Sequence, residues 1–577
     1  MAEFDTVIRG GMIFDGTRTP RYRADIAIKD GVIAEIGYID AARAARVLDA
    51  GGMHVAPGFV DLHTHYDAQL FWDPYCSISG WHGVTTVVIG NCGFGFAPVA
   101  PEARECMMLT MTRVEAIPLA SMQAGMPWNW ETFPEFLDAV EEAPKAMNIV
   151  PYVPISPLMI AVMGFEDAKS GRLPSAAEHA DMCRLLDEAL DAGGCGWSMQ
   201  RMPPDGPGSV QLDHDGTPMV TDVMHDETAI EFAKVLRRRN AGHMQCTMIS
   251  GKPKADQAHL AELAEISGRP MIFNVVQVQD AMPQVHRKVL AWLERCREQG
   301  IRVYGQGLTT DAGYTFTFED WNLFDECPAW REATVGTREE RLAKLADPAR
   351  RPALREQVPA LVLGPFENIV VVGPKSDETQ QWLDHTVGLV AEKSGKHVVD
   401  AMLDIVVADG LETEFYSMPP NTRVDLLKEV VDNPYVLFGV SDGGAHTKFL
   451  TAGRYPTETL TSIVREHGML SLEDAHWRLS ALPAQLAGCP ERGTLQVGSP
   501  ADIVVYDYEN LAILPPEVVH DMPGGEWRRV QRASGYRYVL INGEVTIEND
   551  SQTETYSGEL LRHGRSRRTR ERARSAA

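Results

Sequence analysis

Between residues 58 and 486 the chain repeats one alternation, a short apolar run of strand character followed by a longer amphipathic stretch of helical period. The strand candidates are GFVDLHTH, VTTVVIGNC, NIVPYVPI, GCGWSM, HMQCTMI, PMIFNVVQV, IRVYGQGL and YVLFGVSD. Segments such as AAEHADMCRLLDEALDAG and DETAIEFAKVLRRRN separate several of them. Strands that run parallel need crossover helices of this kind, and strands covered on both faces read as continuous apolar runs. Eight such units predict an α/β fold, a (β/α)8 barrel of the TIM type, over residues 58–486. Residues 310–375, rich in Trp, Phe and Arg, break the pattern and are expected as an insertion that caps the active site. Trp321, Trp330 and Arg331 there could wall a larger, flatter substrate, or simply form the insertion's own small core.

The flanks have a different texture. Residues 5–57 alternate apolar and polar positions around GG, DG and GG turns, a hairpin pattern. The texture returns in ADIVVYD (501–507) and YRYVLINGEVTIEND (536–550). We expect one small β-sandwich domain built from both termini, residues 1–57 and 487–561, with the barrel inserted between them. From Arg562 onward the tail is basic and expected to be disordered.

Composition narrows the function. With 577 residues the chain exceeds what one core usually organises. A formal net charge of −26 argues against a nucleic-acid partner. No stretch approaches the roughly 20 apolar residues of a membrane span, and the N-terminus lacks a basic region followed by an apolar run. The nine cysteines are scattered, odd in number and without a CxxC pair, which suits a reducing cytoplasm. A soluble homo-oligomer is compatible with all of this.

The strongest chemical signal is Asp61-Leu62-His63-Thr64-His65, at the end of the first barrel strand. Side chains two apart on a strand share a side, so His63 and His65 converge as half of a zinc-type site. Ser441-Asp442-Gly443-Gly444 ends the eighth strand, which neighbours the first in a closed barrel. Asp442 therefore reaches the same metal and can accept a proton from a water whose pKa the cation lowers to about 7.

These blocks carry a resemblance. VAPGFVDLHTHYDAQLFWDP, GVTTVVIGNCGFGFAPV, SDGGAHTKFL, LSLEDAHWRLSALPAQLAG, ERGTLQVGSPADIVVYD and VLINGEVTIEND resemble the amidohydrolase superfamily, specifically its N-acyl-D-amino-acid deacylase (D-aminoacylase) branch. The resemblance implies a metal-ligand role for Cys92 in the GNCG block; a thiolate there suits zinc. It also implies a histidine at the end of strand five and another at the end of strand six. This chain departs there: Thr247 falls at the first position and Asn274 to Gln277 at the second. His243 lies at the start of the fifth run, the non-catalytic end of a barrel, and is expected to be structural. The strand-three segment is altered to VPISPLM, and no lysine near GCGWSM supports a carbamylated bridge.

The resulting expectation is one Zn2+ held by His63, His65, Cys92 and Asp442, rather than two ions. Asp442 acts as catalytic base and then acid. Arg454, in AGRYPTETL, is the candidate for binding a substrate carboxylate. The reaction is hydrolysis of a non-peptide C–N bond in a small, carboxylate-bearing amide, as in the deacylases. Two alternatives stay open: a hydrolase of a cyclic amide, lactam or lactone at a mononuclear centre, and a non-catalytic amidohydrolase-like assembly partner.

Overall fold

The computed structural model describes residues 2–202, 211–319, 324–358, 364–449 and 452–563. Both ends of the chain meet in one sheet. Its strands lie in the order Ser551–Gln552, Glu544–Glu548, Tyr536–Ile541, Ile503–Tyr506, His54–Pro57, Phe4–Ile13, Tyr22–Lys29 and Val32–Gly37, with Ala44–Asp49 parallel to Phe4–Ile13. The seam between the termini is the antiparallel pairing of Ile503 with Pro57 through Tyr506 with His54. The DG pair at Asp30-Gly31 and the NG pair at Asn542-Gly543 each take two successive positive φ angles. That is the two-residue turn whose twist matches its flanking strands. One face of this sheet buries Ile8, Ile26, Val55, Ile503, Val505 and Leu540 in a common core.

Pro57 leads at once into the parallel strands. Phe59–Asp61, Val84–Ile89 and Asn148–Pro151 form one set. Val153–Pro154, Gly196–Arg201, His243–Met248, Met271–Val276, Val303–Gly307 and Val436–Phe438 form the other, in that spatial order. Only Tyr152 separates the last strand of the first set from the first strand of the second. At the far ends Thr64 bridges Gly443 in parallel, and His65 N donates to Gly443 O at 2.6 Å. Helices such as Ala176–Ala192, Asp226–Arg239 and Pro253–Ser267 follow or precede these strands as crossovers. Thr132 and Ser175 cap their helices through full capping boxes with Glu135 and Glu178. VPISPLM supplies the short Val153–Pro154 strand and then opens the helix Ile155–Met163.

The additional unit runs further than residue 375. Its sheet orders Tyr314–Phe316, Glu414–Ser417 and Val370–Gly373, so the strand latest in sequence is the central one. It has a core of its own. Trp330 is fully buried there, stacked on Phe324 with ring centroids 5.0 Å apart, its indole N–H on Leu354 O at 2.9 Å. Burial with a satisfied N–H is what an indole needs in an interior, so Trp330 belongs to the insertion's core rather than to a substrate wall. Trp321 lies outside the described residues. At the C-terminus, Arg562 is anchored by Asp138 at 2.6 Å and Glu141 at 2.7 Å. Residues 564–577 of the expected tail lie outside the described residues. Among the described residues no helix is long and apolar enough to cross a membrane.

Candidate metal centre

Three sequence-distant turns meet where the Phe59–Asp61 strand ends. The His63–Thr64–His65 turn is pinned by Thr64 Oγ1, which donates to Val88 O at 2.7 Å, and by Ser441 Oγ, which donates to His63 O at 2.9 Å. The GNCG turn is pinned by Asn91 Nδ2 on Val88 O and Thr64 O, and by Cys92 N on Gln245 Oε1 at 2.8 Å. Cys92 adopts φ 57, and at Gly93 (φ 76) a Cβ would stand 2.9 Å from Met199 Cα, so backbone packs there where no side chain fits. In the third turn Asp442 has φ 48, and a Cβ on Gly444 (φ 90) would meet His65 O at 2.6 Å. The two glycines let all three turns close on one point.

At that point His63, His65 and Cys92 each offer a ligand atom, all within 4.8 Å of one another. Asp442 Oδ1 stands 3.3 Å from His63 Nε2 and 3.8 Å from His65 Nε2. Cys92 Sγ is 3.4 Å from His63 Nε2. The four side chains singled out from sequence are therefore brought together. Arg454 is not brought to them. Its guanidinium is held by Glu458 at 2.7 Å, Gln531 Oε1 at 3.2 Å and Asp311 O at 3.4 Å. It lines a separate cleft with Tyr314, Tyr416 and Arg465.

Burial decides the electrostatics. His63 and His65 are pushed below the usual histidine range by desolvation, which keeps their lone pairs available as donors. Burial pushes the Cys92 thiol well up, with the nearby Glu115 carboxyl adding to the effect. Asp61, beneath the two imidazoles, is pushed up to about 7 for the same reason. A bound cation reverses this logic for a thiol, because coordination strips its proton. The donor set of imidazole, thiolate and carboxylate at these spacings suits zinc.

The second sphere is built of neutral amides and hydroxyls. Gln306 Nε2 donates to Gly439 O at 3.0 Å, which leaves Oε1 to accept from His63 Nδ1 at 3.1 Å and turns the His63 Nε2 lone pair inward. Thr247 Oγ1 lies 3.4 Å from Cys92 Sγ and accepts from Asn274 Nδ2 and Gln245 Nε2, both at 3.2 Å. Thr247 and Asn274 thus sit at the site as hydrogen-bonding groups without an imidazole. His243 lies at the opposite end of its strand, ring against Tyr152 at 4.9 Å, and burial lowers its pKa to about 3.

Two neighbours escaped the sequence reading. Glu115, the last residue of the helix Arg104–Glu115, puts Oε1 3.7 Å from His65 Nε2. His446, four residues after Asp442, stands 3.5 Å from Glu115 Oε2. His446 lies inside the SDGGAHT run and could have been noticed there. Glu115 closes a Met-rich helix with no motif around it.

Comparison with known proteins places the chain in a family. An amidohydrolase family model matches residues 46–151 and 222–547. An uncharacterised protein of Mycobacterium tuberculosis is 28% identical over 94% of this chain and 90% of its own length. The N-acyl-D-aspartate deacylase of Alcaligenes xylosoxydans xylosoxydans is 26% identical over 98% of this chain and 96% of its own. Among solved structures, the N-acyl-D-glutamate deacylase of Bordetella bronchiseptica, complexed with zinc and a phosphonate mimic of the tetrahedral intermediate, superposes with a TM-score of 0.66. It is 24% identical, over 97% of this chain and all of that one. The chain belongs to the amidohydrolase family, hydrolases of carbon–nitrogen bonds other than peptide bonds.

Proposed function

We infer that the protein is a zinc-dependent deacylase of N-acyl amino acids, working with one cation held by His63, His65, Cys92 and Asp442. The parallel strands are read as a (β/α)8 barrel with a small β domain, and the site as lying at the strands' C-terminal ends. The observation that carries the reading is the convergence of two imidazoles and a thiol within 4.8 Å, with Asp442 3.3 Å from His63. The deacylase relatives support the substrate class, an amide between an acyl group and a small amino acid.

A cation in this place supplies Lewis acidity, lowering the pKa of water and polarising the amide carbonyl. The chain's own residues do the rest. Gln306 fixes the His63 tautomer, and Ser441 ties the Asp442 turn to the backbone of His63. Asp442, with its side chain about one-fifth exposed at the mouth, accepts a proton from the attacking water and returns it to the leaving nitrogen. Buried Phe94 and Phe96, on the GNCG side, help keep the interior dry.

The neutral Thr247 and Asn274 favour a second reading with the same centre. Without imidazoles there, hydroxyl and amide groups stand next to Cys92, which suits a cyclic amide or lactone. Metal content of the purified protein by mass spectrometry, with turnover on N-acyl-D-amino acids against lactams and cyclic imides, separates the readings. About one zinc per chain and turnover of acyl amino acids is the expected result. Turnover of cyclic amides alone would favour the second reading, and a metal-free protein would overturn both.

A further inference from the structure

Glu115 is buried in the cluster, and nothing so far gives it a role. Ala116, at φ 51, ends its helix in a left-handed turn, and the Glu115 carbonyl accepts from His446 N at 2.6 Å. The turn that carries Asp442 is thereby tied to the helix end. The carboxylate divides its oxygens between two imidazoles: Oε1 lies 3.7 Å from His65 Nε2 and Oε2 lies 3.5 Å from His446 Nε2. Among the described residues, these imidazoles are the basic groups within ion-pair distance of it; no lysine or arginine is. Its side chain is 5% exposed. A carboxylate buried this deeply costs several kcal/mol unless it is paired or coordinates a metal.

The spacing identifies what would pair it. Zinc bonds to N, O and S donors are about 2.0–2.3 Å long, which sets neighbouring donors on one ion about 3.0–3.8 Å apart. His63 Nε2 to Cys92 Sγ is 3.4 Å, His63 to Asp442 is 3.3 Å and His65 to Asp442 is 3.8 Å. The His65–Glu115 separation of 3.7 Å belongs to the same series.

We propose that Glu115 is a further protein ligand of the cation, through Oε1, and that His446 is a positioning residue that holds Oε2 and fixes the carboxylate's rotation. This rests on the one-cation reading above and extends it. A charged oxygen supplied by the helix after the GNCG turn then stands in for imidazoles that Thr247 and Asn274 do not provide. Glu115 is in this view a ligand, and His446 acts through it.

The test uses the full-length protein stripped of metal and titrated with zinc against a chromophoric chelator, with Co2+ loading followed by visible absorption. Glu115→Gln keeps the shape of the side chain and removes its charge. It should weaken zinc binding at least tenfold, change the Co2+ spectrum, and leave the melting temperature of the metal-free protein unchanged or higher. His446→Asn should weaken zinc binding by a smaller factor, and the double variant should bind no more weakly than Glu115→Gln alone, because the two act as one unit. If His63→Ala abolishes binding while Glu115→Gln binds zinc as the parent does with an unchanged Co2+ spectrum, the Glu115 assignment fails and the four-ligand centre stands. If the parent binds no zinc, both fail together. A Glu115→Gln protein with a lowered metal-free melting temperature and parental zinc affinity would assign Glu115 a purely structural part.

Discussion

Asp442 is where two accounts of one residue differ most. It has φ 48, which aspartate tolerates better than most residues, and it precedes two glycines. A turn residue of that kind is replaced by asparagine at little cost. A proton carrier is not, because asparagine keeps the size and loses the basic oxygen. Asp442→Asn is expected to fold normally and to lose at least about a hundredfold in kcat, within the range that general acid–base groups contribute. Near-parental turnover in a folded, zinc-loaded variant would reduce Asp442 to a turn. Cys92 allows a parallel test. Cys92→Ala should lower bound zinc or turnover about tenfold or more, a loss typical of disturbed ligation; unchanged metal content would make it an inert buried thiol. His63, His65 and Asp442 could be singled out from sequence because each sits at the end of an apolar strand run, whereas Cys92 was singled out only by the resemblance that its GNCG block carries. Glu115 could not, since what joins it to His65 is a contact made in three dimensions between a helix end and a distant turn, whereas His446 stands in the same run as Asp442. Arg454 is held away from the cluster for a different, local reason. The local signal was there: Glu458, four residues on in AGRYPTETL, stands at the helical spacing that pairs it with the guanidinium.

The elements were legible to different degrees. The eight apolar runs all became strands in parallel sets, because buried parallel strands write their burial directly into the sequence. The insertion was only half legible. Its central strand, Glu414–Ser417, is short and follows the Val398–Ala408 helix, so its pairing with Tyr314–Phe316 depends on a chain reversal of about a hundred residues. The loop after the last parallel strand is the element on which the site depends most. Gly444 adopts φ 90 and passes so close to His65 that a Cβ would meet its carbonyl oxygen at 2.6 Å. Neither the angle nor the backbone contact can relax without moving the turn that presents Asp442. Gly444→Ala is therefore expected to destabilise the protein by about 1–3 kcal/mol, the scale of backbone strain and overpacking. It should also weaken zinc binding, because the displaced partner is the His65 backbone itself. Urea unfolding and zinc titration of the same preparation check both. A variant with parental stability and parental affinity would mean that the loop is slack.

At the scale of the whole molecule, one buried cluster joins the terminal sheet to the parallel strands. Asp502 precedes the Ile503–Tyr506 strand, and its carboxylate pairs with Arg492, accepts Asn542 N at 2.8 Å and accepts Asn148 Nδ2 at 3.1 Å. Its carbonyl accepts Gly58 N at 2.9 Å, where the chain crosses from the terminal sheet into the first parallel strand. Asn148 begins a parallel strand, and its Oδ1 accepts from Asn542 Nδ2 at 2.9 Å and from Glu559 N at 3.1 Å. Arg492 and Asp502 are 3% and 4% exposed, so neither charge has water to fall back on. Truncating Asp502 leaves Arg492 buried with only Asn542 Oδ1 at 2.9 Å and Glu559 at 3.9 Å; breaking a buried pair costs up to about 3–5 kcal/mol, whereas replacing both members with apolar groups of similar size is often neutral. Asp502→Ala is expected to lose stability on that scale, and the Arg492→Met, Asp502→Leu double variant to recover much of it. Because the cluster belongs to both units, the loss should move one common unfolding transition rather than release the terminal sheet alone. Urea denaturation followed by far-UV circular dichroism, and by the fluorescence of the eleven tryptophans, among them the fully buried Trp197 on its parallel strand, reports the two together. Transitions that separate in Asp502→Ala, with fluorescence unchanged while the sheet melts, would show that the two units are stable apart and that the cluster merely docks them. Coincident transitions displaced by the same urea concentration would show that the strands leading to His63, His65, Cys92 and Asp442 depend on the terminal sheet for their stability.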